Sequence, residues 1–261
     1  ISAYYKKLGN NVTLLLSYDD IEKYDKVFIS KVFTDTIVPD GVLSMSNVEY
    51  GGTGFFYDKA KPLKYEIEHH MPDYHLYEDW VNSKLYEDLT DDYTEEEKDK
   101  IIKNRRKDFV YYLDFSIGFL TRGCIRGCSF CVNQNYKQCL RHSPVEEFVD
   151  KNRKYICFLD DNFLSCKDWR SIIEEVKAVG KRFQFKQGLD ERLLTDEKIE
   201  EVFSWNYIGD YIFAFDNIED KRIIEKKLKR IHEMYPTLSK QLKFYVLVGY
   251  DRNDIQHIRR Y

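Results

Sequence analysis

Cys124, Cys128 and Cys131 place three thiols in one short stretch, at intervals of four and then three residues. A single loop can therefore bring all three to one compact metal centre. Thiolate sulfur is soft and suits iron–sulfur clusters and zinc alike, so the spacing by itself leaves both open. A structural zinc site needs a fourth ligand to complete its tetrahedron, and Cys139 or His142 stands near enough in sequence to supply it. An iron–sulfur cluster held by only three cysteines would instead keep one iron free for a substrate or cosubstrate. Gly123 and Gly127 let the backbone wrap closely around such a centre, and Phe130 puts an aromatic ring directly before the last cysteine.

The other cysteines read differently. Cys157 sits in an apolar run and is expected to be a small core residue, while Cys139 and Cys166 read as ordinary thiols. No cysteine follows Cys166, so one metal centre is the economical reading. Crowding all six cysteines between residues 124 and 166 of a 261-residue chain is unlike a secreted disulfide scaffold and points to thiolate chemistry in a reducing compartment.

With 43% hydrophobic and 33% charged residues, the chain can bury a substantial core. A net charge of -4 supplies no overall basic field for nucleic acid. Lys103, Arg105, Arg106 and Lys107 form a local basic run, read here as a solvated helix face. No apolar run approaches the roughly 18 residues of a membrane span, so a cytoplasmic protein is expected. His69 and His70, beside Glu66 and Glu68, read as a solvated loop. The chain begins at Ile1 with a helical pattern and stops as another begins after Asp251, which predicts further elements beyond both ends.

The elements that must position the cysteines are legible in the periodicity. Runs rich in β-branched and aromatic residues at 115–120, 155–159, 183–186, 211–215 and 244–248 predict strands. Between the later runs, apolar residues at helical spacing predict helices over 167–179, 196–204 and 219–235. Repeated β-α units predict a parallel sheet and an open or closed barrel. Sites on such scaffolds lie at the carboxyl ends of the strands, and the cysteine loop directly follows the first of them. The next strand ends carry Asp160, Asp161 and Asn162, then Gln187 and Gly188, Asp216 and Asn217, and Gly249 to Asp251.

Ahead of this region, a helix over 2–8, an apolar run at 12–16, a polar helix-like stretch at 19–26 and a second apolar run at 26–33 predict a small parallel sheet. Gly51, Gly52, Thr53 and Gly54 mark a turn. Residues 71–108 are charged and aromatic, with Thr94 expected to cap a helix running to about Lys107. The expected organisation is therefore α/β: a smaller Rossmann-like domain over 1–70, a helical bridging segment over 71–108, and a partial (β/α) TIM-like barrel over 109–261.

In Cys124, Cys128, Phe130 and Cys131 the sequence resembles the radical S-adenosylmethionine (SAM) superfamily, whose signature separates three cysteines by three and then two residues, with an aromatic usually before the last. The resemblance extends from about Phe115 onward. It implies a [4Fe-4S] cluster on the three cysteines, SAM chelated to the fourth iron, and reductive cleavage of SAM to a 5'-deoxyadenosyl radical that abstracts hydrogen from a substrate. It also implies SAM contacts from Asp160, Asp161 and Asn162, from Gln187 and Arg192, and from the backbone at Gly249. An electron donor such as flavodoxin or ferredoxin is implied as well. A small-molecule or peptide substrate is favoured over nucleic acid. The N-terminal pattern is similar to the radical SAM class that carries a cobalamin-binding domain, but the Asp-x-His-x-x-Gly motif of that class does not occur, so bound cobalamin is not expected. A silent relative that binds cluster and SAM without turnover would share every motif, and a zinc-stabilised interaction module is the other alternative.

Overall fold

The computed structural model describes residues 1–238, 242–247 and 250. In chain order the helices are α1 (Ser2–Lys7), α2 (Thr53–Phe56), α3 (Tyr65–Glu68), α4 (Glu78–Leu85), α5 (Glu95–Arg105), α6 (Val110–Leu113), α7 (Trp169–Ala178), α8 (Asp196–Ser204) and α9 (Lys221–Met234). The strands are β1 (Val27–Ser30), β2 (Val48–Gly51), β3 (Phe115–Gly118), β4 (Thr121–Arg122), β5 (Leu140–Arg141), β6 (Tyr155–Phe158), β7 (Arg182–Phe185), β8 (Tyr211–Ala214) and β9 (Leu242–Tyr245).

From β3 onward the long-strand pairings are parallel: β3 with β6, β6 with β7, and β8 with β9. Two isolated parallel bridges, Phe183 to Tyr207 and Leu189 to Phe213, tie β7 to the chain around β8. The strands therefore follow one another in space in chain order, with α7, α8 and α9 in the connections after β6, β7 and β8. Among the described residues the sheets are small and none closes on itself.

Strand side chains alternate between faces, so the register sorts them. Ile156 and Phe158 of β6 lie beside Phe183 and Phe185 of β7. These four pack with Ile172, Ile173 and Val176 of α7, Ile199 and Val202 of α8, and Ile231 of α9 in the main core. The apolar stripes of all three helices thus cover one face of the strands. Phe158, Phe183 and Phe185 are at most 1% exposed, and truncating any one to alanine would cost roughly 3–5 kcal/mol. Cys157 and Gln184, one residue out of phase, face the other way, where the Tyr111 hydroxyl accepts from Gln184 Nε2 at 2.7 Å and from Lys186 Nζ at 3.0 Å. Cys157 is buried as expected for a core thiol, and burial pushes it up to about 11.

Among the described residues β3 has no strand neighbour on its outer side, and Tyr74 takes that place. Ile117 N donates to the Tyr74 hydroxyl at 2.7 Å, and that hydroxyl donates to Phe148 O at 2.6 Å. Arg153 holds Tyr74 in place, donating to its carbonyl and lying 4.3 Å above its ring.

The N-terminal elements differ from the sequence reading. Residues 12–16 form no strand; Leu15 packs on a small second core of Ile21, Val27 and Val42, but its backbone has no sheet partner among the described residues. The parallel partner of β1 is β2, drawn from the lead into the glycine run. The polar stretch 19–26 yields only a 3-10 turn, Ile21–Lys23, because Asp20 adopts a left-handed φ of 61° that breaks a helix. Asn47 Nδ2 then secures the turn through Ile21 O and Tyr24 O. His69 is not in a solvated loop: it lies 2.7 Å from Glu147, stacked between Tyr65 and His142.

In the bridging segment Thr94 and Glu97 form a reciprocal capping box at the start of α5. That helix buries no residue and is tethered through Arg105, which donates to Leu85 O and Glu87 O. Two more members of the basic run are engaged locally, Arg106 with Asp114 and Lys107 with Asn104. Among the described residues no helix is long and apolar enough to cross a membrane.

Candidate functional site

The chain leaves β3, forms β4, and returns at β5, which pairs antiparallel with β4. Residues 123–139, which include the three cysteines, are therefore a loop pinched at its neck, and His142 N donating to Leu120 O at 2.8 Å tightens the pinch. Asp160, just past the end of β6, anchors this neck from the adjacent strand. Its Oδ1 accepts from Thr121 N and Thr121 Oγ1, both at 2.6 Å, and its Oδ2 from Leu120 N at 3.1 Å. Burial at 1% exposure pushes its carboxyl up to about 7.

Asp161 takes the next step into the loop. It accepts from Gly123 N at 2.8 Å and from Asn133 Nδ2 at 2.7 Å, so one carboxylate holds both arms of the cysteine segment. Arg122 lies 3.6 Å away on the same carboxylate, its guanidinium over the Phe119 ring. Only glycine fits at 123: φ is +98°, and a Cβ would stand 2.3 Å from Gln138 O.

The three thiols are partly exposed and unbridged. Arg126 N donates to Cys124 Sγ and Asn133 N to Cys131 Sγ, each at 3.4 Å. Asn162 Nδ2 also reaches Cys124 Sγ at 3.4 Å. Burial, and then the neighbouring thiolates, push the Cys128 thiol above its ordinary value. Burial raises Cys131 as well, outweighing the Asn133 N–H that favours its thiolate. Ligation would therefore have to release those protons.

Behind Cys124 lies a charged network at the end of β7. Asp190 accepts from Arg126 Nε and Arg192 Nε, both at 2.7 Å, and from Asn162 Nδ2 at 3.1 Å. Burial pushes the Asp190 carboxyl up, but the two guanidinium groups outweigh it and hold it below the usual carboxylate range. Arg192 also donates to Asp220 at 2.6 Å. Glu191, 1% exposed, is pushed up to about 7 by burial, and its Oε1 has no hydrogen-bond partner among the described residues.

The structure thus brings Cys124, Cys128, Cys131, Asp161, Asn162 and Arg192 to one rim of the parallel strands. Asp160 reaches the same rim from below, buried and with both oxygens taken by the loop's neck. Gln187 is exposed just past β7, with no hydrogen bond among the described residues. Phe130 accepts a hydrogen bond at its carbonyl from Tyr57 at 2.8 Å and sets its ring edge-on to Tyr250. Gly249 lies outside the described residues. Asp190, Arg126, Thr121 and Asn133 escaped the sequence reading. Asp190 had a usable signal, an acidic pair beside Arg192 at a strand end, whereas Thr121 and Asn133 had none.

The two residues suggested as a fourth zinc ligand are committed elsewhere. Cys139 is buried against Thr121, Ser165 and Cys166, and burial pushes its thiol up to about 11. His142 stacks on His69, with Nδ1 2.9 Å from Ser143 Oγ and Nε2 3.5 Å from Glu68. Among the described residues no three His, Cys, Asp or Glu side chains form a group that could hold a single metal ion. No family model, no curated protein and no solved structure matches the chain.

Proposed function

We propose that the chain is a radical SAM enzyme with a partial (β/α) barrel, whose Cys124, Cys128 and Cys131 hold a [4Fe-4S] cluster. One observation carries the reading: three thiols share a loop that two carboxylates clamp onto the carboxyl ends of successive parallel strands. The donor set fits the group. Cluster thiolates bind separate irons, so they need not converge on one point as the ligands of a zinc ion must. N–H groups directed at Cys124 and Cys131 are what sulfurs bearing negative charge require.

When bound, cluster and SAM would supply a one-electron reductive cleavage of the sulfonium and a carbon radical for hydrogen abstraction. The chain's own share is binding and orientation. Asp160 and Asp161 fix the loop. Asn162 Oδ1, buried with no hydrogen-bond partner among the described residues, offers an acceptor for the SAM ammonium. Tyr57, donating to the Phe130 carbonyl, and Asn135, donating to Asp58 at 2.8 Å, tie residues 57–58 to the loop. An electron donor such as a flavodoxin or ferredoxin, a small-molecule or peptide substrate, and a cytoplasmic setting complete the proposal; cobalamin is not part of it.

The test is anaerobic reconstitution with iron and sulfide, followed by SAM and dithionite, with 5'-deoxyadenosine quantified against a Cys124→Ala, Cys128→Ala, Cys131→Ala variant. About four irons per chain and product that disappears in the variant are expected. Zinc binding without iron would overturn the proposal, and iron without SAM cleavage would leave a silent relative.

A further inference from the structure

We infer that Asn162 is a positioning residue that sets the reduction potential of the centre through Cys124; the inference rests on the cluster reading above. Asn162 is 5% exposed, and its amide nitrogen faces two acceptors, Cys124 Sγ at 3.4 Å and Asp190 Oδ2 at 3.1 Å. An NH2 group carries two hydrogens, one for each. A flipped amide would turn its oxygen toward a thiolate and a carboxylate, two groups that cannot donate, so the orientation is dictated by its surroundings.

Asp190 makes that orientation firm. It is itself fixed by Arg126, from within the cysteine loop, and by Arg192, from its own turn. Arg192 is fixed in turn by Asp220 beyond β8. The two guanidinium groups offset the carboxylates of Asp190 and Asp220, so the network adds no net negative charge beside Cys124. What reaches the sulfur is the positive end of the Asn162 N–H dipole, together with the N–H of Arg126.

Reduction adds one negative charge to a cluster, and hydrogen bonds to its sulfurs stabilise that charge; they are among the levers that set the potential. The amide is buried, so solvent screens its dipole little. Asn162 is therefore expected to make the centre easier to reduce, with Asp190 acting through it. Removing the N–H should lower the potential, and truncating Asn162 should leave Cys124 bound with one hydrogen bond fewer.

The experiment compares reconstituted wild-type protein with Asn162→Leu, without SAM, by redox titration followed through the electron paramagnetic resonance of the reduced state. The expected result is full iron content in both, with the ratio of reduced to oxidised centre falling about tenfold at a fixed potential in the variant, equivalent to about 59 mV for one electron. Equal potentials in two fully loaded proteins would overturn the inference. Should the leucine variant fail to fold or load, wild-type protein carrying 15N at the asparagine side-chain amides decides the matter by pulsed resonance. A weak 15N coupling to the reduced centre supports the inference and its absence overturns it. A wild-type chain that takes up no iron would instead remove the cluster reading itself.

Discussion

Asp160→Ala should be the most damaging single substitution near the cysteine loop that touches no cysteine. The carboxylate receives Leu120 N, Thr121 N and the Thr121 hydroxyl, and Leu120 and Thr121 are both fully buried. Alanine would leave two backbone N–H groups without an acceptor in a place water does not reach. Each such orphan costs about 1–3 kcal/mol, so the variant should lose roughly 2–6 kcal/mol. Against a total of about 5–15 kcal/mol for an ordinary domain, that is a large fraction. Asp160→Asn keeps one oxygen for Thr121 but turns an NH2 toward the Leu120 N–H, and should fall between, at about 1–3 kcal/mol. Urea unfolding with an unchanged slope measures the loss, and a cycle with Thr121→Val should show strong coupling because the two residues share a hydrogen bond. If Asp160→Ala unfolds within about 1 kcal/mol of wild type, the neck of the loop is held by something other than this carboxylate.

Gly123→Ala introduces a methyl 2.3 Å from Gln138 O at a φ of +98°; it should distort the loop, abolish iron uptake on reconstitution and leave the helical circular dichroism nearly intact. Glu191 is pushed from 4.5 up to about 7 by burial, so between those values the folded state holds a proton that the unfolded chain releases. Stability should therefore fall as pH rises through that window, and Glu191→Gln should flatten the corresponding part of a Tm–pH profile; an unchanged profile would refute the assignment. Cys139→Ala and His142→Ala should each retain wild-type iron content, because neither side chain belongs to the cysteine loop's donor set, and loss of metal in either would restore the four-ligand zinc reading.

The sequence by itself determined the elements whose signals are local. The cysteine spacing is visible without any fold. The helices at Trp169–Ala178, Asp196–Ser204 and Lys221–Met234 follow from apolar residues three and four apart, because a helix closes its hydrogen bonds within one turn. The capping box of Thr94 and Glu97 is legible for the same reason. Strands were readable as runs but not in their pairing. The apolar run at 12–16 looked as strand-like as β1, yet β1 pairs with β2, because a strand exists only where a neighbour accepts its backbone groups.

The tertiary structure alone decided what each polar residue at the rim does. Asp160, Asp161 and Asn162 are consecutive, yet the first closes the loop's neck, the second holds both its arms, and the third turns its amide to a thiol and a distant carboxylate. Asp190 meets Arg126 from 64 positions away, a relation no spacing encodes. Such partners are chosen by which groups burial leaves in need of a donor or an acceptor, and that need arises only once the parallel strands have brought their carboxyl ends together.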